Sequence, residues 1–120
     1  MLYKYKDDYR KVAMGLLSFI PELKEIPHLK KELAWYDADE HRNLFLWKND
    51  NGNFSAVIGT ETNPDNRTIM VRRVAVTPNE PQSVQFQMLT ALANRFPEYK
   101  VMGNFATSGL ITAWEKQTNE

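Results

Sequence analysis

Between Leu44 and Val76 three apolar runs follow one another with only turn signals between them. Leu44-Phe45-Leu46-Trp47 is apolar on both faces. Asn51-Gly52 then supplies a positive-φ pair for a tight hairpin, and Phe54 to Gly59 runs apolar again. Asn63-Pro64-Asp65-Asn66 marks a second reversal, after which Ile69 to Val76 is β-branched and interrupted only by Arg72 and Arg73. Short reversals make neighbours antiparallel, so this stretch is expected to fold as a three-strand meander.

The flanking segments change period. Val12, Ala13, Leu16, Leu17 and Ile20 recur at helical spacing, with Asp7 or Asp8 as cap and Pro21 as terminator. A second helix is expected from Pro27, with Leu29, Leu33 and Tyr36 on its buried stripe. Beyond the meander, Val84, Met88, Leu89, Leu92, Ala93 and Phe96 restore helical spacing up to Pro97. Tyr99 to Met102 reads as a short strand, and Leu110, Ile111 and Trp114 as a last helix across 106–116. The order strand, helix, helix, three strands, helix, strand, helix is α+β: a mostly antiparallel sheet flanked by helices, in one domain spanning residues 1–120.

Composition narrows the chemistry. Lysine plus arginine number 15 and aspartate plus glutamate 15, so no charge excess draws the chain to nucleic acid or to an anionic membrane. With no cysteine, disulfides and thiolate chemistry are excluded, and no metal is expected. Asp37-Ala38-Asp39-Glu40-His41 reads as a solvated helix terminus rather than a metal site, because no second histidine stands at ligand spacing. The amino terminus lacks the apolar core of a secretory signal, and no run approaches a membrane span. The expected location is the cytoplasm.

Val74-Ala75-Val76-Thr77-Pro78, running into a loop and then a helix, resembles the acetyl-CoA motif of the GCN5-related N-acetyltransferase superfamily. Two blocks, Lys11-Val12-Ala13-Met14-Gly15-Leu16-Leu17-Ser18-Phe19 and Leu44-Phe45-Leu46-Trp47-Lys48, are similar to the RibT-like branch, small acetyltransferase-like proteins encoded beside riboflavin-biosynthesis enzymes in some bacteria. The resemblance implies an acetyl-CoA or CoA ligand wedged where the fourth strand parts from the fifth. The backbone of Val74, Ala75 and Val76 would hold the pantetheine arm. The diphosphate would lie at the loop and helix start, across Gln82, Ser83, Val84, Gln85 and Phe86. It further implies a sheet shortened at its carboxyl end, without the last strand pair, and an exposed edge open to a bulky acceptor or to a second copy in a homodimer.

That loop departs from the family form. Thr77 to Leu89 contains no glycine and no basic residue; Glu80 adds negative charge and Pro81 deletes a backbone donor. A helix start remains as an anion site, capped either by an Asn79–Gln82 box or by Ser83. For chemistry, the resemblance implies a base on the fourth strand, where Val71-Arg72-Arg73 stands instead. Glu61 on the third strand is the substitute candidate, and alternation predicts that Arg72 and Arg73 face opposite ways. The asparagine and tyrosine expected in the last segment correspond to Thr107 and Trp114. Trp114 has no acidic hydroxyl, but its indole face can line a thioester channel. Two functions follow: an acetyl-CoA-dependent N-acyltransferase acting on an unidentified amine, or a catalytically silent binding module.

Overall fold

The computed structural model describes residues 1–118. Strand β1 is Leu2–Lys4, helix α1 Arg10–Leu17, α2 Ile26–Asp37, β2 Arg42–Lys48, β3 Phe54–Asn63 and β4 Thr68–Val76. Helix α3 is Ser83–Arg95, β5 is Lys100–Gly103 and α4 is Ser108–Thr118. The five strands form one sheet in sequence order, antiparallel from β1 to β4 and parallel between β4 and β5. The α+β expectation and the order of elements stand.

Apolar residues on both faces of the meander find a helical layer on each side. Leu44, Leu46, Val57 and Ala75 pack with Ala13, Leu16, Leu17, Leu29, Leu33 and Tyr36 of α1 and α2. Phe45, Ile58, Ile69 and Val71, pointing the other way, pack with Leu89 and Leu92 of α3 and Ile111 of α4. Alternation along the strands thus distributes one set of side chains between two cores.

Several local expectations are corrected. Asp7 and Asp8 lie in a 3-10 turn ahead of α1 and make no capping bond, and Val12 is exposed while Ala13 is buried. Of the Asn51-Gly52 pair only Gly52 has positive φ, at 82°. The loop is built instead around the Asn49 side chain, whose Oδ1 accepts from the Asn51 and Asn53 amides at 3.0 Å each. Pro27 does occupy the first turn of α2, where its missing N–H removes nothing.

Two irregularities place the site. Thr60 pairs with Val71 and Gly59 with Arg73, leaving Arg72 as an extra residue on β4. This bulge breaks the two-residue alternation. The ladder between β4 and β5 covers Thr68 to Val71 only, so from Arg72 onward β4 has a strand neighbour on one side alone.

Candidate active site

The parting of β4 from β5 is held by side chains. Thr107, buried in the turn before α4, donates its hydroxyl to the Val71 carbonyl at 2.7 Å and accepts the Asn104 amide at 3.0 Å. Asn104 Nδ2 donates to the Arg72 carbonyl at 3.2 Å, while its Oδ1 accepts the Ala106 and Thr107 amides at 3.0 Å each. These bonds occupy the backbone positions a continued β5 would have used, and they turn the chain away into α4. Gly103 makes the turn possible: a Cβ there would stand 2.7 Å from Ser108 Cα and 2.8 Å from its nitrogen. No real Cβ sits that close to main chain.

Beyond this lock lies a cleft of about 330 Å³, lined on the β4 side by Val74, Ala75 and Val76, with Ala106 and Thr107 opposite and Phe19 to Glu22 above. Side chains therefore seal only the origin of the fork, and the released β4 edge faces open space.

Arg72 and Arg73 do not face opposite ways. The bulge turns both towards α2, where they line one recess of about 320 Å³ with Glu22, Leu23, His28, Lys31, Glu32 and Trp35. Arg73 Nε lies 3.1 Å from Glu32 Oε2, and its Nη1 lies 3.0 Å from Glu22 Oε2. The two carboxylates raise the Arg73 pKa above its usual value despite the opposing effect of burial. The Arg72 guanidinium carbon sits 4.4 Å from the Trp35 ring centre, a cation–π distance. Glu22, Arg72 and Arg73 line both the recess and the cleft, so the two spaces are contiguous across β4.

Glu61, the expected base, lines neither space. Its carboxylate is 3.7 Å from Arg42 Nε and 3.7 Å from Arg72 Nη1, in a different recess, of about 740 Å³, with His41 and Asn63. The carboxylates that do reach the site, Glu22 and Glu32, escaped the sequence reading. Glu22 stands in a short 3-10 turn and Glu32 on a helix whose buried stripe drew the attention. The only signal for them is the absence of an acid on β4, which requires the carboxylate to come from another element.

Buried Tyr36 stands beside this recess with no hydrogen-bond partner for its hydroxyl among the described residues. Its pKa is pushed well above the ordinary 10.0, by burial first and by the nearby Glu32 charge second. Its Oη packs directly against Gly59, where any Cβ would collide with it.

The expected diphosphate segment is distributed differently. Helix α3 begins at Ser83 with Gln82 before it, and no side chain caps it, neither Asn79 nor Ser83. The Val84 and Gln85 amides donate to the Pro81 and Gln82 carbonyls at 3.0 and 3.1 Å, which removes two donors from any ligand. Val84 is itself core, packed with Ala56 and Met88. Glu80 is turned to the β2–β3 loop, its Oε1 accepting Asn49 Nδ2 at 3.1 Å. Ser83, Phe86 and Trp114 line a separate groove between α3 and α4, about 470 Å³ and without a charged residue on its walls. There Trp114 Nε1 donates to Thr90 Oγ1 at 3.0 Å. Gln82 and Gln85 line neither space.

No protein-family model matches the chain. An uncharacterized N-acetyltransferase encoded in the lysA 3' region of Bacillus methanolicus is 31% identical over 116 residues, which cover 96% of this chain and 95% of that one. Among solved structures, the aminoglycoside N-acetyltransferase AAC(6')-Iy in complex with CoA superposes with a TM-score of 0.71 at 12% identity, over 98% of this chain and 84% of its own. Tetrahymena GCN5 superposes at 0.67 and 11% identity, over 95% and 77%. The structural matches carry the fold and the full-length sequence relative carries the kinship: the chain belongs to the GCN5-related N-acetyltransferase superfamily, enzymes whose acyl donor is a CoA thioester.

Proposed function

We propose that this protein transfers an acetyl group from acetyl-CoA to an amine, with the pantetheine limb lying along the released edge of β4 and the amine entering from the α2 side. The observation that carries this reading is the open fork between β4 and β5. Main-chain groups of Val74, Ala75 and Val76 border a cleft that a linear amide-bearing chain can fill, and a strand with one free side offers unpaired donors and acceptors to it. In the reaction the amine nitrogen attacks the thioester carbon, the C–N bond forms and the C–S bond breaks. The proton leaving the nitrogen goes to a carboxylate, and the thiolate takes one from water. Glu22 and Glu32 are the carboxylates on the walls of the acceptor recess; we assign Glu61 the indirect task of holding Arg72. No tyrosine lines the cleft or the recess among the described residues, so positioning of the two reactants supplies most of the rate.

The nucleotide end of the donor is held loosely in this reading. Thr77 to Asn94 carries one charged residue, Glu80, and the groove between α3 and α4 is uncharged. Gln82, Ser83, Gln85 and Phe86 offer main-chain and neutral contacts at most. Calorimetry with CoA and a thiol-release assay with acetyl-CoA test the reading together. Heat and release of thiol in the presence of an amine support it, and silence in both at millimolar ligand overturns it.

A second reading is favoured by three observations: a glycine-free approach to α3, a tryptophan bonded to Thr90 where the resemblance implies a phenol, and Glu80 in that approach. Under it the protein binds a CoA thioester or a partner without turnover. Binding without thiol release across a broad amine panel would select it. The association with riboflavin biosynthesis rests on the two sequence blocks alone, and acylation of an amine-bearing flavin precursor is its test. We also place the protein in the cytoplasm and allow for a homodimer through β5. Its outer edge carries no strand among the described residues, and Met102 and Phe105 are exposed there. Sedimentation of the wild type against Met102→Lys decides that point.

A further inference from the structure

The acceptor recess carries side chains of both charge signs, and that combination selects a class of amine. Two of its carboxylates share one guanidinium. Glu32 takes Arg73 Nε at 3.1 Å and Nη2 at 3.5 Å, and Glu22 takes Nη1 at 3.0 Å. One positive group between two negative ones leaves a net negative charge next to the β4 edge. Of the other lining groups Arg72 and Lys31 are positive, and Arg72 also reaches the Arg42–Glu61 pair outside the recess. Arg72 and Arg42 share the single carboxylate of Glu61, each at 3.7 Å, beyond good hydrogen-bond length. Lys31 adds a further positive charge with no ion pair among the described residues. Trp35 and Leu23 are the apolar residues of the lining.

Resting on the transferase reading, we propose that the acceptor is a small zwitterion: an amine that also carries a carboxylate or a phosphate. Its ammonium is drawn to Glu22 and Glu32, where a carboxylate removes the proton before attack on the thioester. Its anionic group is met by Arg72 and Lys31, and its carbon body lies against Leu23 and the rim of Trp35, whose ring is already stacked by Arg42 at 4.1 Å and Arg72 at 4.4 Å. Arg72 is the specificity-determining residue. It is the extra residue of the β4 bulge, it is stacked on Trp35, and it shares the Glu61 carboxylate with Arg42. A polyamine would gain from Glu22 and Glu32 and be repelled by Arg72 and Lys31, since like charges oppose one another.

Matched probes test this on the intact protein with acetyl-CoA: phenylalanine against phenethylamine, and O-phosphoethanolamine against ethanolamine, with spermidine as the polycation. The pairs separate carboxylate from phosphate as the preferred anion. At low ionic strength the expected result is a KM at least 10-fold lower for the anion-bearing member of one or both pairs, with spermidine poorest. Arg72→Gln should erase most of that difference, read as the ratio of KM values within each pair. Lys31→Gln, an exposed position, should erase a smaller part and guards against misfolding of the first variant. Saturation-transfer NMR with the same probes gives a readout that needs no turnover. Equal or better use of the plain amine or spermidine, or no NMR contact with any anion-bearing probe, overturns the inference and leaves the transferase reading standing. Loss of CoA binding itself would overturn both.

Discussion

Replacing Thr107 with valine tests the fork most directly, because the substitution keeps the shape and removes one oxygen. In the wild type that hydroxyl is buried, donates to the Val71 carbonyl at 2.7 Å and accepts the Asn104 amide at 3.0 Å. Valine leaves both main-chain groups without their partner. An orphaned buried polar group costs about 1–3 kcal/mol. The Val71 carbonyl is deep and bears the larger share; Asn104 is half-exposed, so water recovers part of the amide's loss. The sum is about 2–3 kcal/mol. At the usual unfolding entropy per residue, a chain of this length loses about 4 °C for each kcal/mol, which predicts a fall in Tm of about 8–12 °C. Thr107→Ser retains the oxygen and discards a methyl group, so it should lose about 1 kcal/mol or less. Urea unfolding followed by far-ultraviolet circular dichroism measures both variants. A valine variant within 0.5 kcal/mol of wild type, or a serine variant equally damaged, would show that the hydroxyl does not hold the fork. Calorimetry on the folded valine variant should also show weaker CoA binding, because the β4 edge and the α4 turn would no longer be held at a fixed separation.

Other tests follow from the same geometry. Ala106→Trp places an indole in the mouth of the cleft from an exposed position; CoA binding should fall at least 10-fold with Tm unchanged, and retained binding would move the donor elsewhere. Gly103→Ala must displace the main chain of Ser108, an overpacking cost of about 1–3 kcal/mol readable by thermal melting. The raised Tyr36 pKa makes stability pH-dependent in a defined direction. The folded state holds the phenolic proton more tightly than the unfolded chain, so the contribution is complete below the ordinary value of 10.0 and is lost as pH climbs above it. Tyr36→Phe should flatten the alkaline limb of the stability curve and leave neutral pH stability equal or higher, since it deletes a hydroxyl without a partner. With a neutral groove and a single nearby carboxylate, KM for acetyl-CoA should change less than threefold between 20 and 500 mM salt; a steep rise would reveal phosphate contacts by cations from another part of the chain.

Much of this molecule is legible in the order of its residues. The change of apolar spacing at Leu44 and again after Val76 marks helices and strands, because burying one stripe or two faces imposes different periods on the chain. The glycine-free run from Thr77 to Leu89 is equally plain. Its missing donors are a local property, and the structure adds that the Val84 and Gln85 amides are spent within the chain. Trp114 shows the limit of such reading. It falls at a meaningful spacing, yet its indole binds Thr90 across the α3–α4 groove and does not line the fork.

The site itself was decided in three dimensions. A strict alternation sends Arg72 and Arg73 to opposite faces, and one unpaired residue opposite Gly59 and Thr60 sends them to the same one. The extra residue falls where Gly59 on the neighbouring strand lies against Tyr36, a contact that the spacing of the arginines does not announce. Likewise Glu22, Glu32 and Arg73 are separated by up to 51 positions in the chain and become one charge cluster only when α2 and the turn that carries Glu22 settle against the sheet. Local spacing determines which elements form, because backbone geometry repeats over two or four residues. The charged recess beside β4 depends on contacts between elements distant in the chain, and those are set by packing alone.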